Sequence, residues 1–218
     1  MKTLKKLTAM VCFLIGVFTF ANAQISLGLR AGTSLATAHF DKENLLPDSP
    51  DYYWGTTAGI VGEVCVVEFF ALQTEVGVIQ KGYKMNHPFN AGNKTITTHF
   101  DYLEIPLLLK MKYGSETVKG FVMAGPYYAY ALNGRAKLAG EKSNKIDFDQ
   151  ANIQRHEWGG VFGVGIGAEV GPGTLFLDSR FEMGFTNLDN QPEAVNTGWY
   201  NRGFNIGLGY MVAIGEVW

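Results

Sequence analysis

The sequence predicts an all-β fold, an eight-stranded antiparallel up-and-down transmembrane β-barrel, and three observations carry that prediction. From Gln24 onward, apolar residues alternate with polar residues or glycine in eight runs, and no window sustains a helical period. Such alternation is the signature of a strand with two unlike faces. The links between the runs alternate between short and long, as they do in barrels with tight turns at one end and large loops at the other. Charged residues and glycine share one face of the runs, and bulky aliphatic and aromatic residues share the other.

The segment before the first run reads as an export signal, residues 1–23. Lys2, Lys5 and Lys6 precede an apolar stretch from Leu7 to Phe20, and Ala21-Asn22-Ala23 supplies small residues for cleavage before Gln24. Its apolar part is shorter than the roughly 20 residues of a spanning helix. Residues 24–218 then form a single barrel domain. Cys12 leaves with the signal and Cys65 stays as a lone thiol, so an internal disulfide is excluded. The whole chain has a formal net charge of -2, which provides no basic field for nucleic acid. Glycine accounts for 27 of 218 residues, against roughly 7% in average usage, and follows no collagen period.

The runs fall at 24–38, 55–69, 71–85, 98–113, 118–132, 155–170, 174–187 and 199–215. Each is long enough for the roughly 9–11 residues of a tilted membrane strand. The short links are Phe69-Phe70, the segment from Tyr113 to Thr117, and Gly171-Pro172-Gly173. The long ones are 40–54, 86–97, 133–154 and 188–198, rich in Asn, Asp, Lys and Pro. In the fourth run Leu103, Ile105, Leu107, Leu109 and Met111 oppose Tyr102, Glu104 and Lys110. Pro106, which has no ladder N–H, predicts a local bulge. The fifth run has apolar residues on both faces and leaves its parity open. In the sixth, Glu157, Gly159, Gly163, Gly165, Gly167 and Glu169 oppose Trp158, Phe162, Val164 and Ile166. The seventh sets Arg180, Glu182 and Gly184 against Leu175, Leu177 and Phe181, and the eighth sets Asn205, Gly207 and Gly209 against Phe204, Ile206 and Leu208. A polar face stripped to glycine fits the crowded interior of a narrow barrel better than a face turned to water. Aromatic residues gather at the run ends: Tyr52, Tyr53, Trp54, Phe100, Trp158, Phe185, Trp199 and Tyr200 toward the long loops, and Phe69, Phe70, Tyr113 and Trp218 toward the turns. They suggest interfacial girdles.

This face assignment places Arg30, Lys81, Lys110 and Arg180 in the interior with Glu63, Glu75, Glu104, Glu157, Glu169, Asp178 and Glu182. An eight-stranded barrel is about wide enough for side chains to fill, so these charges are expected to pair as a structural plug. Glu75 and Glu104 could be taken for an acid–base dyad, but nothing marks a cleft beside them. His39, His87, His99 and His156 map to the long-loop end, with Ser34, Ser49 and Asp101 nearby, in no known metal-ligand spacing. Gly163-Val-Gly-Ile-Gly167 lies within continuous strand alternation and lacks the strand-to-helix context of a dinucleotide loop.

Tyr102-Leu-Glu-Ile-Pro-Leu-Leu-Leu-Lys110, with Leu72-Gln-Thr-Glu75 and Lys81-Gly82 before it and Gly125-Pro-Tyr-Tyr128 and Gly163-Val-Gly-Ile-Gly167 after it, resembles the PorT-like outer-membrane β-barrel family of Bacteroidota. The likeness covers essentially all of the mature chain and implies an eight-stranded barrel. The family's namesake takes part in protein secretion, an activity with no residue motif to transfer. The expectation is a non-enzymatic protein of the cell outer membrane, without a cofactor. It would act as an accessory, structural or interaction component through its outer loops, or as a subunit of a secretion or assembly complex. Its expected partners are outer-membrane lipid, lipopolysaccharide and other outer-membrane or periplasmic proteins. The alternatives are a lipid-modifying barrel enzyme and a soluble lipocalin-like ligand binder, in which the apolar stripe would face inward.

Overall fold

The computed structural model describes residues 24–41, 49–87, 94–192 and 197–214. Its strands are β1 (Gln24–Phe40), β2 (Asp51–Val67), β3 (Phe70–His87), β4 (Lys94–Gly114), β5 (Val118–Leu138), β6 (Asn144–Lys145), β7 (His156–Val170), β8 (Gly173–Gly184) and β9 (Trp199–Ile214). All pairings are antiparallel. β1 lies between β2 and β9, and pairing of β4 with β5 closes the ring of eight long strands. The two-residue β6 folds back onto β5 at Arg135 and Ala136. The signal segment and Trp218 lie outside the described residues.

Burial is inverted relative to a water-soluble barrel. Ile166 and Leu208 on the outer wall are 51% and 54% exposed, whereas Glu157 and Asp178 on the inner wall are 0% and 1% exposed. An apolar surface that encircles the molecule belongs in lipid. The apolar stripe thus faces outward, opposite to the arrangement of a lipocalin-like binder.

Several strands run beyond the apolar alternation that marks them in the sequence. β2 starts at Asp51 rather than residue 55, β4 at Lys94 rather than 98, and β5 continues to Leu138 rather than 132. Past the lipid-facing belt, Lys94, Thr95, Thr97, Arg135 and Lys137 still pair their backbones across the ladder. Side-chain alternation marks only the part of a strand that separates lipid from lumen. At the other end, the first tight turn is Glu68-Phe69, and Phe70 already belongs to β3. Gly171, with φ at 62°, takes the left-handed position of the Gly171-Pro172 turn, which a side chain would strain.

No bulge forms at Pro106. The β3–β4 and β4–β5 registers are the same on either side of it. The buried Pro106 offers its carbonyl to the Thr74 hydroxyl, 2.9 Å away. The register shift lies higher, where Asp101 and Tyr102 face Asn133 and Ala131, so that Leu132 is the extra residue. With the register continuous, Leu107 and Leu109 point outward and Leu108 inward. The open parity of β5 is settled as well: Phe121, Met123, Tyr127, Ala129 and Ala131 face the lumen, and Val118, Val122 and Leu132 face outward.

The aromatic residues divide between two roles. Trp54, Trp158 and Phe185 face outward near the loops, and Phe69 and Tyr113 face outward near the turns. Phe100 and Trp199, expected in the girdle, instead point inward and are buried. Together with Phe40, Tyr83 and Phe148 they fill the long-loop end of the lumen, with ring centroids 5.4–6.1 Å apart along the cluster. Strand parity places both on the same face as the buried charges, and that outweighs their position at the strand ends.

Candidate functional site

The inward faces of the strands bring the buried charges together in three tiers. Nearest the loops, Lys81 of β3 lies 2.7 Å from Glu104, 3.0 Å from Glu182 and 3.5 Å from Glu157. Glu157 also accepts hydrogen bonds from the Tyr127 hydroxyl and from Asn201, the latter at 2.7 Å. The Tyr127 ring lies under the Lys81 ammonium, with its centroid 4.2 Å away. One lysine therefore faces three carboxylates, and two of them, Glu157 and Glu182, also accept from neutral donors. Gly159 leaves room for this cage, since a Cβ there would collide with the Tyr127 ring.

In the middle tier the charges balance. Arg30 of β1 pairs with Asp178 at 2.6 Å, and Arg180 of β8 bridges Glu75 at 2.8 Å and Asp178 at 3.1 Å. Asn205 links the tiers, accepting from Arg30 and donating to Glu182. A Cβ at Gly207 would overlap the Arg30 guanidinium, so the glycine there is a steric requirement of the network. Planar, multiply hydrogen-bonded arginines suit such sites, because buried carboxylates need most of their acceptor positions filled.

The third tier faces the turns. Lys110 and Lys112 of β4 each lie 2.8 Å from Glu63, and Lys110 also donates to Gln73 at 3.0 Å. Below it the lumen widens into a vestibule of about 530 Å³ edged by Lys112, Lys119, Glu63, Glu169 and Cys65. The half-buried Cys65 faces the vestibule, with its Sγ 2.9 Å from the Lys112 ammonium.

Of the residues assigned to the interior, Arg30, Glu63, Glu75, Lys81, Glu104, Lys110, Glu157, Asp178, Arg180 and Glu182 are buried and paired within these tiers. Glu169 is the exception. It is exposed at the vestibule rim, where it accepts a hydrogen bond from Thr174 at 3.0 Å, because β7 has already left the packed part of the lumen at that height. The neutral partners Gln73, Tyr127 and Asn201 escape a search for charges, although their parity places them on the charged face.

Among the described residues, the histidine side chains do not converge. His39 on β1 lies 3.8 Å from Asp41, His99 on β4 stacks on Tyr53 with centroids 5.2 Å apart, and His156 on β7 places Nδ1 2.6 Å from the Tyr128 hydroxyl. The side chain of His87 lies outside the described residues. Ser34 is buried and donates to the Gln80 carbonyl at 2.6 Å, and Asp101 accepts from the Gln80 amide at 2.9 Å. Among the described residues no cluster of three potential metal ligands occurs.

The loop end is capped by its own connections. Leu188 and Phe148, from the β8–β9 and β5–β7 links, are buried against the aromatic cluster. Ile153 pairs with Asp189, which also accepts hydrogen bonds from the Thr197 backbone and hydroxyl, both at 2.7 Å. Arg155 lies over the Phe148 ring at 4.1 Å.

Among solved structures, the chain is similar to Ail of Yersinia pestis bound to the heparin analogue sucrose octasulfate, at 11% identity and a TM-score of 0.44, covering 86% of this chain and 99% of that one. It is also similar to OprG from Pseudomonas aeruginosa, at 10% identity and a TM-score of 0.46, covering 88% and 98%. AlkL, determined in lipid bilayers, gives 15% identity and a TM-score of 0.46, covering 90% and 92%. Among curated proteins no sequence relative matches. The family model for the outer membrane protein beta-barrel domain matches residues 20–190, and the chain belongs to that family.

Proposed function

We propose that residues 1–23 export the chain and that residues 24–218 form a non-enzymatic outer-membrane barrel of the PorT-like type. It acts through its long-loop end as an accessory, structural or interaction component, or as a subunit of a secretion or assembly complex. In this reading the turns face the periplasm, the loops face outward, and lipid and lipopolysaccharide surround the wall. The observation that carries the reading is the pairing of a side-chain-filled lumen with an ordered cap. The tiers and the aromatic cluster occupy the interior, while the β5–β7 and β8–β9 links are fixed to one another through Ile153 and Asp189. A fixed loop surface above a closed barrel suits recognition better than passage. The separate settings of Ser34, His39, His99 and His156 support the non-enzymatic reading, since nucleophilic chemistry needs a base within hydrogen-bond reach.

The test replaces residues 139–155 by a short turn that joins β5 to β7. Tagged wild-type and variant barrels are purified from their own membranes in mild detergent. The expected result is a folded variant that has lost proteins recovered with the wild type. An identical set of co-purifying proteins would remove the loops from the proposal, and an altered lipid A acylation pattern in a deletion strain would restore the enzyme reading.

A further inference from the structure

A groove of about 360 Å³ lies on the outer wall at the long-loop rim, apart from the lumen, where β8, β9, β1 and the start of β2 meet. Toward the lipid belt its wall is formed by Phe181 and Phe204, whose ring centroids are 4.9 Å apart. One outward position above Phe204 stands Arg202, opposite Thr37 across the β1–β9 pairing. Tyr52 also lines the groove, as does His39, one outward position higher on β1 and opposite Tyr200. The partly buried Arg202 has no ion pair among the described residues, and its Nε is shielded from solvent with no acceptor in reach. An acidic neighbour, Asp41, lies 3.8 Å from the His39 ring.

A guanidinium whose shielded Nε–H lacks an acceptor carries a desolvation cost that an anion would offset. The height of this one restricts what that anion is attached to. It stands where the apolar wall gives way to loops, directly above two aromatic rings exposed to lipid. A free phosphate ion would use the guanidinium and leave the rings idle, whereas a phosphorylated lipid would use both. We propose that the groove seats a phosphate of lipid A on Arg202, with acyl chains against Phe181 and Phe204. The choice of this lipid rests on the membrane reading above, in which the long-loop end meets the outer leaflet.

Native mass spectrometry of the detergent-solubilised barrel tests the site. Wild type, Arg202→Gln and Arg135→Gln are each titrated with lipid A, dephosphorylated lipid A and phosphatidylglycerol. Arg135 is an exposed cation on β5, opposite His99, and controls for general charge. The expected result is lipid A retention that is equal in wild type and Arg135→Gln and about tenfold weaker in Arg202→Gln, about 1.4 kcal/mol. The effect of Arg202→Gln should vanish for dephosphorylated lipid A. Unchanged retention in Arg202→Gln, or an equal loss in Arg135→Gln, would overturn the groove as the site. An equal effect of Arg202→Gln on phosphatidylglycerol would overturn the assignment to lipid A. Insertion into liposomes is measured in parallel: a wild type that fails to insert overturns the membrane reading as well, whereas normal insertion without an Arg202 effect overturns the groove alone.

Discussion

Toward the loops, the lumen ends in Phe40, Phe100, Phe148 and Trp199 packed over a lysine held by three carboxylates. Toward the turns it widens into a polar vestibule where two lysines share one carboxylate and a thiol faces the cavity. The same strands build both ends, so the difference lies in their inward side chains and in the links that bring Phe148 and Leu188 onto the loop end. On β4 the inward series passes from Phe100 and Tyr102 through Glu104 to Lys110 and Lys112. The closure is thus asymmetric: the loop half is filled by side chains, and the turn half opens into a cavity.

Substitutions should separate the two halves. Lys81→Met strips the counter-charge from Glu104, Glu157 and Glu182 together. Breaking a buried ion pair from one side costs about 3–5 kcal/mol, and urea unfolding of the barrel in lipid vesicles should register a loss of that order. A stability equal to wild type would mean that the loop half is not held by this cage. Lys112→Met should act far more weakly, on the order of 1 kcal/mol or less, because Lys110 still neutralises Glu63. A loss as large as that of Lys81→Met would erase the contrast between the halves. The smallest perturbation is chemical. A water-soluble maleimide should label Cys65 in the folded barrel, whereas Ala129→Cys, placed at a buried position in the loop half, should react only after unfolding. Equal labelling rates would show that water reaches both halves.

Much of the fold was legible in the sequence, but the contrast between the two halves was not. Alternation distinguished lipid-facing from lumen-facing residues, and the glycines on the charged face marked a crowded interior, whose room the structure gives to Arg30 and Tyr127. Three kinds of feature were not legible. The polar outer ends of β4 and β5 pair through the backbone, which leaves no side-chain pattern. Phe100 and Trp199 look like girdle residues by position, and only the continuous β4 and β9 registers show them pointing inward. The fate of Pro106 depended on neighbours. The β3–β4 and β4–β5 registers run past Pro106 unchanged, and its carbonyl accepts the Thr74 hydroxyl; a single strand read alone does not contain these neighbours.

In the proposed reading, side chains close this barrel and its working surface lies outside the lumen. Planar-bilayer recording of the purified wild-type protein tests it most directly. The closed lumen predicts no steady conductance above the bare membrane, while reproducible channels of fixed size would contradict the account and make the charge tiers an ion path.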